Sequence, residues 1–422
     1  MIPTDERLAP NPRANMSTPP KPTRIEVGLI YGTGLVQGLA LVTFPAASSI
    51  FTSPTGYDLS HSQYGTMFLP QVLLAIMASS LAPRFASRWT LKRVLALGVF
   101  ADLISMSLLA FSNLFRASPV AFVILLMATG ALGFGFGATL MALNTYSEYF
   151  FPTNSDRAVL VLNALLGTGT ALAPLFVAVL IGHGVWWALP ISVACVLALI
   201  WACVLREPLE ISSSANASSA AASGSFRQLP SRFWLYAAIV FLYGISETLN
   251  GNWAALYLTT QRGVPARGGI LALMSFWAMV TIGRVLFAAL SAIVPARWIY
   301  GSLPILLGVA FQAVSRATSQ TAGVLACGLA GLACSAFFPL SMSFGGDEFP
   351  KLAAAMSGGL IAFYQIGYGV AAFGIGSLHD ITGLPFSLLF SYGSAVAAVM
   401  AVLAWLLIGR QPTDEVLLHH ES

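Results

Sequence analysis

Three ionisable side chains lie deep inside long apolar runs of this sequence: Asp102, Glu247 and Arg284. A charge at the centre of such a run costs about 2.5–3.5 kcal/mol on insertion scales, so it is expected to face a cavity or a partner. Glu247 is followed by Asn250-Gly251-Asn252-Trp253. That stretch is poor helix material, and it predicts a local break that opens backbone groups to a water-filled cavity. A carboxylate there can accept hydrogen bonds from hydroxyl groups or carry a proton. Arg284 sits at a depth that differs by roughly 7 Å at 1.5 Å per residue, a gap two long side chains can bridge. The pair reads as a proton-coupling switch, with a static ion pair as the alternative. Asp102 reads as structural, bonded to a neighbouring Ser, Thr or Asn, with a transport role as the alternative.

Amides and aromatics recur around the same depth: Gln37, Asn144, Asn163, Asn250, Asn252, Trp253, Tyr257, Trp277, Tyr364, Gln365 and Tyr368. Amides that both donate and accept, set beside flat aromatic faces, suit a small polyhydroxylated solute, so these residues are candidates for a cavity lining. The alternatives are plain packing or an interfacial aromatic belt. Arg84, Arg88, Glu148 and Asp347 fall at run ends on one side and are candidates for a gate of opposite charges. Three histidines, His61, His183 and His379, fall in turns on the other side with Asp58 and Asp380 nearby. Single surface histidines are the default reading, and no metal site is expected. The four cysteines form no CxxC pair and read as small packing residues. No phosphate-binding G-x-x-x-x-G-K-[ST] loop is present, no cofactor is expected, and the chain is not expected to be an enzyme.

The elements that must hold these residues are apolar spans. The chain is 57% hydrophobic and 9% charged, with a mean hydropathy of +0.79. Soluble domains carry about 25% charged residues. Twelve runs, each long enough to cross a bilayer, are expected at roughly 27–51, 63–82, 94–114, 119–145, 158–181, 185–205, 233–258, 269–293, 298–315, 320–344, 355–377 and 385–408. The net charge of +4 does not suggest nucleic acid, but its distribution is informative. Arg84, Arg88, Lys92, Arg93, Arg157, Arg206, Arg297 and Lys351 share one side with both termini. The other side holds only Arg116, Arg262, Arg267 and Arg316. By the positive-inside rule the first side is cytoplasmic, as are both termini. Residues 1–26 read as a disordered tail, 27–205 as one six-helix bundle and 206–232 as a Ser/Ala-rich linker. Residues 233–408 read as a second six-helix bundle and 409–422 as a short tail.

The halves are related. Gly130, Gly133 and Phe151-Pro152 recur as Gly328, Gly331 and Phe349-Pro350 at an offset of 198. Gly167 and Gly169 match Gly367 and Gly369, and L-I-Y-G ending at Gly32 matches F-L-Y-G ending at Gly244. Duplicated halves are a transporter architecture with the solute site between them. From Val27 to Arg410 the pattern resembles the major facilitator superfamily. Its second half is similar to the fucose-permease-like branch of sugar:proton symporters, through Gly244–Leu258, Phe276–Arg284, Phe337–Gly345 and Ser357–Gly369. The resemblance implies an all-α membrane protein of twelve transmembrane helices in two pseudo-symmetric bundles. It also implies a secondary transporter in the inner membrane that moves a small polar solute by alternating access, with proton-coupled symport of a sugar as the leading case. A drug or metabolite exporter and a transport-inactive sensor or assembly protein are the alternatives. The expected partners are solute, protons and lipid, with no nucleic acid, and a monomer is expected. The chain departs from the family in the 2–3 loop, where Ser79, Pro83 and Ala86 replace the usual glycines and acid, and in lacking an acid at Gln37–Gly38 or in the middle of the fourth span.

Overall fold

The computed structural model describes residues 22–209 and 230–409. Most of the expected tails and of the linker lie outside the described residues. What is described is helical, and the helices follow the apolar runs. They are α1 (Arg24–Ala46, with a short turn Ser48–Thr52), α2 (His61–Thr66 and Leu69–Arg88), α3 (Leu91–Ser112), α4 (Pro119–Phe150), α5 (Ser155–Gly182) and α6 (Ala188–Arg206). The second set is α7 (Phe233–Thr248, Leu249–Trp253 and Ala254–Thr260), α8 (Ala266–Leu290), α9 (Ala296–Arg316), α10 (Gln320–Ser335 and Phe337–Glu348), α11 (Ala353–Thr382) and α12 (Phe386–Ile408).

Local chemistry accounts for several boundaries. α1 begins at Arg24, three residues before the expected start, because Thr23 and Glu26 form a reciprocal capping box. α10 breaks after Ser335 because Pro339 cannot donate to the Ser335 carbonyl and its ring crowds that group. α7 does not unwind at Asn250-Gly251-Asn252 as expected. It widens into a π turn over Leu249–Trp253 and continues, which keeps its backbone bonded while re-aiming the side chains. That turn divides α7 into pieces too short to score as a span. Eleven of the described helices are therefore long and apolar enough to cross a membrane, and α7 supplies the twelfth as an interrupted run. Large apolar side chains such as Leu73, Leu199, Val309, Leu325 and Val402 point outward, as a lipid-facing surface requires.

The packing is duplicated. α1 packs on α5 and α6 as α7 packs on α11 and α12, and α2 packs on α4 as α8 packs on α10. α3 meets α4 and α6 as α9 meets α10 and α12. The largest contacts between the halves are α5 with α8 and α2 with α11, images of each other under the same exchange, and α1 also meets α7. Glycine sets the tightest crossings. A Cβ on Gly38 would collide with the Leu166 carbonyl, and one on Gly169 with the Leu35 carbonyl. In the second half the same roles fall to Gly244 against Tyr364 and Gly367 against Phe241. Gly133 against Gln71 is likewise repeated by Gly331 against Phe276. The alignment of Gly32 with Gly244 is thereby corrected: Gly32 meets nothing within 4 Å, and Gly38 holds the equivalent position. Gly169 corresponds to Gly367, not Gly369, at the same offset of 198 that relates Gly133 to Gly331.

The two ends differ. We call the end bearing Arg24 and Ile408 the basic end and the other the distal end. At the distal end the halves are fastened. Ser62 N donates to Asp380 Oδ2 at 2.7 Å, and His61 Nδ1 lies 3.0 Å from Asp380 Oδ1. Ser62 and Ser377 hydroxyls meet at 3.2 Å, and Tyr64 Oη donates to the Asn252 carbonyl at 3.1 Å. α2 and α11 stay in close contact from His61/Gly376 down to Val72/Gly369. Toward the basic end Gly358 of α11, Gly346 of α10, and Gly28 and Gly32 of α1 all face open space. A hollow of about 580 Å³ opens there, lined by Pro22, Arg24, Val27, Gly28, Phe150 and Phe151.

Candidate functional site

Glu247 is the penultimate residue of the regular part of α7, two residues before the π segment, and is 6% exposed. Its carboxylate lies beside the hydroxyls of Tyr243 and Tyr364, and Arg284 of α8 acts on it through its charge. Among the described residues Glu247 and Arg284 do not close an ion pair within 4.0 Å. The expected direct bridge is thus replaced by a tyrosine-flanked carboxylate with the guanidinium at longer range. Arg284 Nε is buried without a hydrogen-bond partner. Around Glu247 the rings pack together: Tyr243 stacks on Phe337 and Phe338, and Tyr364 lies tilted against Tyr243 and Phe338. Tyr243 Oη donates to the Cys334 carbonyl at 3.0 Å, which locks that ring to α10 just before its break.

The cluster reaches the other half through α11 and α2. Tyr368, one turn on from Tyr364, accepts from Asn252 Nδ2 at 3.0 Å and faces Phe68 and the Gln71 amide of α2. Glu247 therefore sits on the second-half side of the seam, and its neighbours Arg284 and Tyr364 ride on α8 and α11, the second-half helices with the largest contacts to the first half. On the helices that carry this cluster several polar atoms are buried without a partner: Gln71 Oε1 on α2, Asn250 Oδ1 on α7, and Trp277 Nε1 and Arg284 Nε on α8; Asn144 Oδ1 on α4 is another. Native interiors satisfy about nine in ten buried polar groups, so each exception is a group that water or a ligand can complete.

The other expected lining residues separate. Gln37 is turned away into the first half. It donates to Asp102 Oδ1 at 3.3 Å and accepts from Thr139 Oγ1 at 3.0 Å. Asp102 is fully buried, its Oδ2 is unpartnered, and Gly135 leaves room for it, since a Cβ there would strike its carboxylate. Asp102 finds Gln37, not the expected Ser, Thr or Asn. Tyr257 is turned into its own half, donating to the Ser315 carbonyl at 2.7 Å and stacked on Phe390. Trp253 belongs to the distal closure, edge-on to Tyr64 and against Phe386. Asn163 donates to Val159 O of its own helix at 2.9 Å, and Gln365 is 9% exposed on α11.

The expected gate residues stay on the rim of the basic end. Arg84, Arg88, Glu148 and Asp347 are exposed, and Asp347 accepts from Ser343, one turn back at 3.5 Å. A stronger contact at that end was not anticipated: Glu348 pairs with Arg232 and accepts from Tyr236 Oη at 2.8 Å, tying α10 to the start of α7. Gln71, Tyr64 and Tyr243 were also missed. Gln71 was legible as an amide in an apolar run. The tyrosines carried no signal apart from ordinary packing aromatics. Of the histidines, His61 and His379 come together, with ring centroids 4.7 Å apart, and His183 stays exposed.

No family model matches the sequence, and no curated protein matches it. Solved structures do match in fold. The nucleoside transporter NupG superposes with a TM-score of 0.70 at 14% identity, covering 92% of this chain and 100% of that chain. A D-xylose-proton symporter gives 0.69 at 14% identity, with 92% and 97% covered. A variant of the E. coli fucose:proton symporter FucP gives 0.57 at 14% identity, with 91% and 98% covered. The chain has the all-α, multi-pass membrane fold that these transporters share, the major facilitator fold.

Proposed function

We propose that this chain is a secondary active transporter that carries a small polyhydroxylated solute, a sugar or a nucleoside, together with protons. The observation that carries this reading is the buried Glu247 between the Tyr243 and Tyr364 hydroxyls and under the charge of Arg284, with unpartnered buried atoms on the helices around it: Gln71 Oε1, Asn250 Oδ1, Trp277 Nε1 and Arg284 Nε. Each costs about 1–3 kcal/mol while unsatisfied. Hydroxyl groups of a solute supply both donors and acceptors, and the Trp277 and Tyr364 rings offer it flat faces. The similar folds of proteins named for nucleoside, fucose and xylose transport point to the same class of solute.

In this reading the helices of 27–205 and of 233–408 move as two units about the α5–α8 and α2–α11 crossings, and the site is exposed to one side at a time. Glu247 takes the proton. Its neutral form releases Arg284 and the tyrosine hydroxyls to the solute, and its ionised form recaptures them. The basic end faces the cytoplasm of an inner membrane, by the excess of Lys and Arg there. The described conformation is then open inward. The transporter works as a monomer, since both crossings and the site lie within one chain.

The test is purified protein in liposomes, with sugars and nucleosides offered under an inward proton gradient. One of them should accumulate. Glu247→Gln should abolish accumulation while leaving solute exchange intact. A chain that moves no solute of either kind refutes the reading, and normal accumulation by Glu247→Gln at acidic outside pH removes Glu247 from the proton's path.

A further inference from the structure

We propose that His61, His379 and Asp380 form a transition-metal site that clamps α2 to α11 at the distal end. One donor atom from each of the three lies within 4.8 Å of the others. In a tetrahedral site with bonds of about 2.0–2.1 Å, neighbouring donors stand roughly 3.3 Å apart. Side-chain shifts of about 1 Å therefore close the triangle. Two imidazoles and one carboxylate suit Zn²⁺ and its first-row neighbours and not Mg²⁺ or Ca²⁺, which take oxygen ligands.

The surroundings are arranged as ligand supports. His379 Nδ1 lies 2.6 Å from the Leu384 carbonyl, so that nitrogen carries the proton and Nε2 keeps its lone pair for an ion. The Phe386 ring stacks on His379 at 4.3 Å and holds its plane. Asp380 Oδ2 is held by the Ser62 backbone N–H at 2.7 Å. Asp380 Oδ1 shares a hydrogen bond with His61 Nδ1 at 3.0 Å, and a dication takes the place of that shared proton. His61 and Asp380 keep 27% and 26% of their side-chain surface exposed, which gives an ion entry and leaves a position for water.

The ligands come from opposite halves, with His61 on α2 and His379 and Asp380 on α11. They can share an ion only while the distal end is closed. An ion bound to one state alone stabilises that state. The clamp therefore holds the chain open at the basic end. On the transport reading it acts as a brake, but the binding itself does not depend on that reading.

The experiment titrates the purified full chain with ZnCl₂ and, separately, MgCl₂, following calorimetric binding and thermal unfolding. Zn²⁺ should bind and raise the melting temperature, and Mg²⁺ should do neither. His61→Gln, His379→Ala and Asp380→Asn should each weaken Zn²⁺ by roughly tenfold or more. His183→Ala, at an exposed histidine outside the cluster, should bind like the parent. Spin labels at Thr55 and Thr382, with the four native cysteines replaced, should show Zn²⁺ narrowing the distances to the short population. Zn²⁺ binding that is absent, that Mg²⁺ matches, or that survives all three ligand variants overturns the site. Binding that leaves the distances unchanged overturns the clamp. Either result can be read whether or not any solute is transported.

Discussion

Gly38→Ala and Gly32→Ala change the same helix by the same methyl group and should move stability in opposite directions. At Gly32 the new Cβ meets nothing within 4 Å. Replacing an interior helical glycine then gains about 0.5–1 kcal/mol from reduced chain entropy. At Gly38 the Cβ would stand 2.9 Å from Thr170 N and closer still to the Leu166 carbonyl oxygen. Favourable carbon contacts begin near 3.5 Å, so α1 and α5 must part by about 1 Å at their crossing. Overpacking of that kind costs typically 1–3 kcal/mol, which outweighs the propensity gain. The two variants should differ by roughly 1–3 kcal/mol, or an apparent Tm gap of about 2–6 °C, in detergent-solubilised protein. Gly244→Ala is the same experiment in the second half, where a Cβ would lie 3.0 Å from Tyr368 N. It should destabilise comparably and also push Tyr364 and Tyr368 away from Glu247 and Asn252. If Gly38→Ala is as stable as Gly32→Ala, the close backbone crossing does not exist and the duplication of the two halves loses its best support.

Tyr64→Phe deletes the hydroxyl that donates to Asn252 O across the distal seam. The loss of about 1 kcal/mol should shift the distal-closed population roughly fivefold, read as longer distances between spin labels on Thr55 and Thr382; an unchanged distribution would show that this bond does not fasten the end. Asp102→Asn retains an acceptor for Gln37 and should stay close to the parent in stability, whereas Asp102→Ala strands the Gln37 Nε2 donor and should cost about 1–3 kcal/mol. Equal melting temperatures for the two variants would dismiss the network. Glu348→Gln weakens the tie to Arg232 and Tyr236 and should lower stability by up to about 1 kcal/mol while leaving solute affinity unchanged. A change in affinity would place that tie within the transport cycle.

The helices were legible because a bilayer-length apolar run has few other uses, and their ends were legible where Pro or a capping pair stands. The break in α10 was also written in the sequence, four residues before Pro339, although the run of hydropathy passes over it. The site was legible in part. Glu247, Arg284, Asn252, Trp277, Tyr364 and Tyr368 were marked by polarity or aromaticity at depth, and the fold sets Glu247 near Arg284 and Tyr364, Asn252 on Tyr368 and Trp277 against Gly251, while Asn250 bonds to Ser246 of its own helix. Gln37 and Tyr257 carried the same mark and went elsewhere. A polar side chain in an apolar run announces that it needs a partner but not which helix provides it. Gln37 is satisfied by Asp102 and Thr139 within its own bundle, and Tyr257 by the Ser315 carbonyl on α9.

What the sequence alone determined is the solvent of this protein, the number of its crossings, and the presence of buried ionisable groups that demand compensation. Each of these follows from composition and length, which are local properties of the chain. What only the tertiary structure decided is which half owns each polar group and which end of the seam is fastened. It also brought His61 and His379, 318 positions apart, to within 4.7 Å. Those outcomes depend on where backbone carbonyls and glycines allow two helices to approach. That is a property of pairs of helices, and no single stretch of sequence contains it.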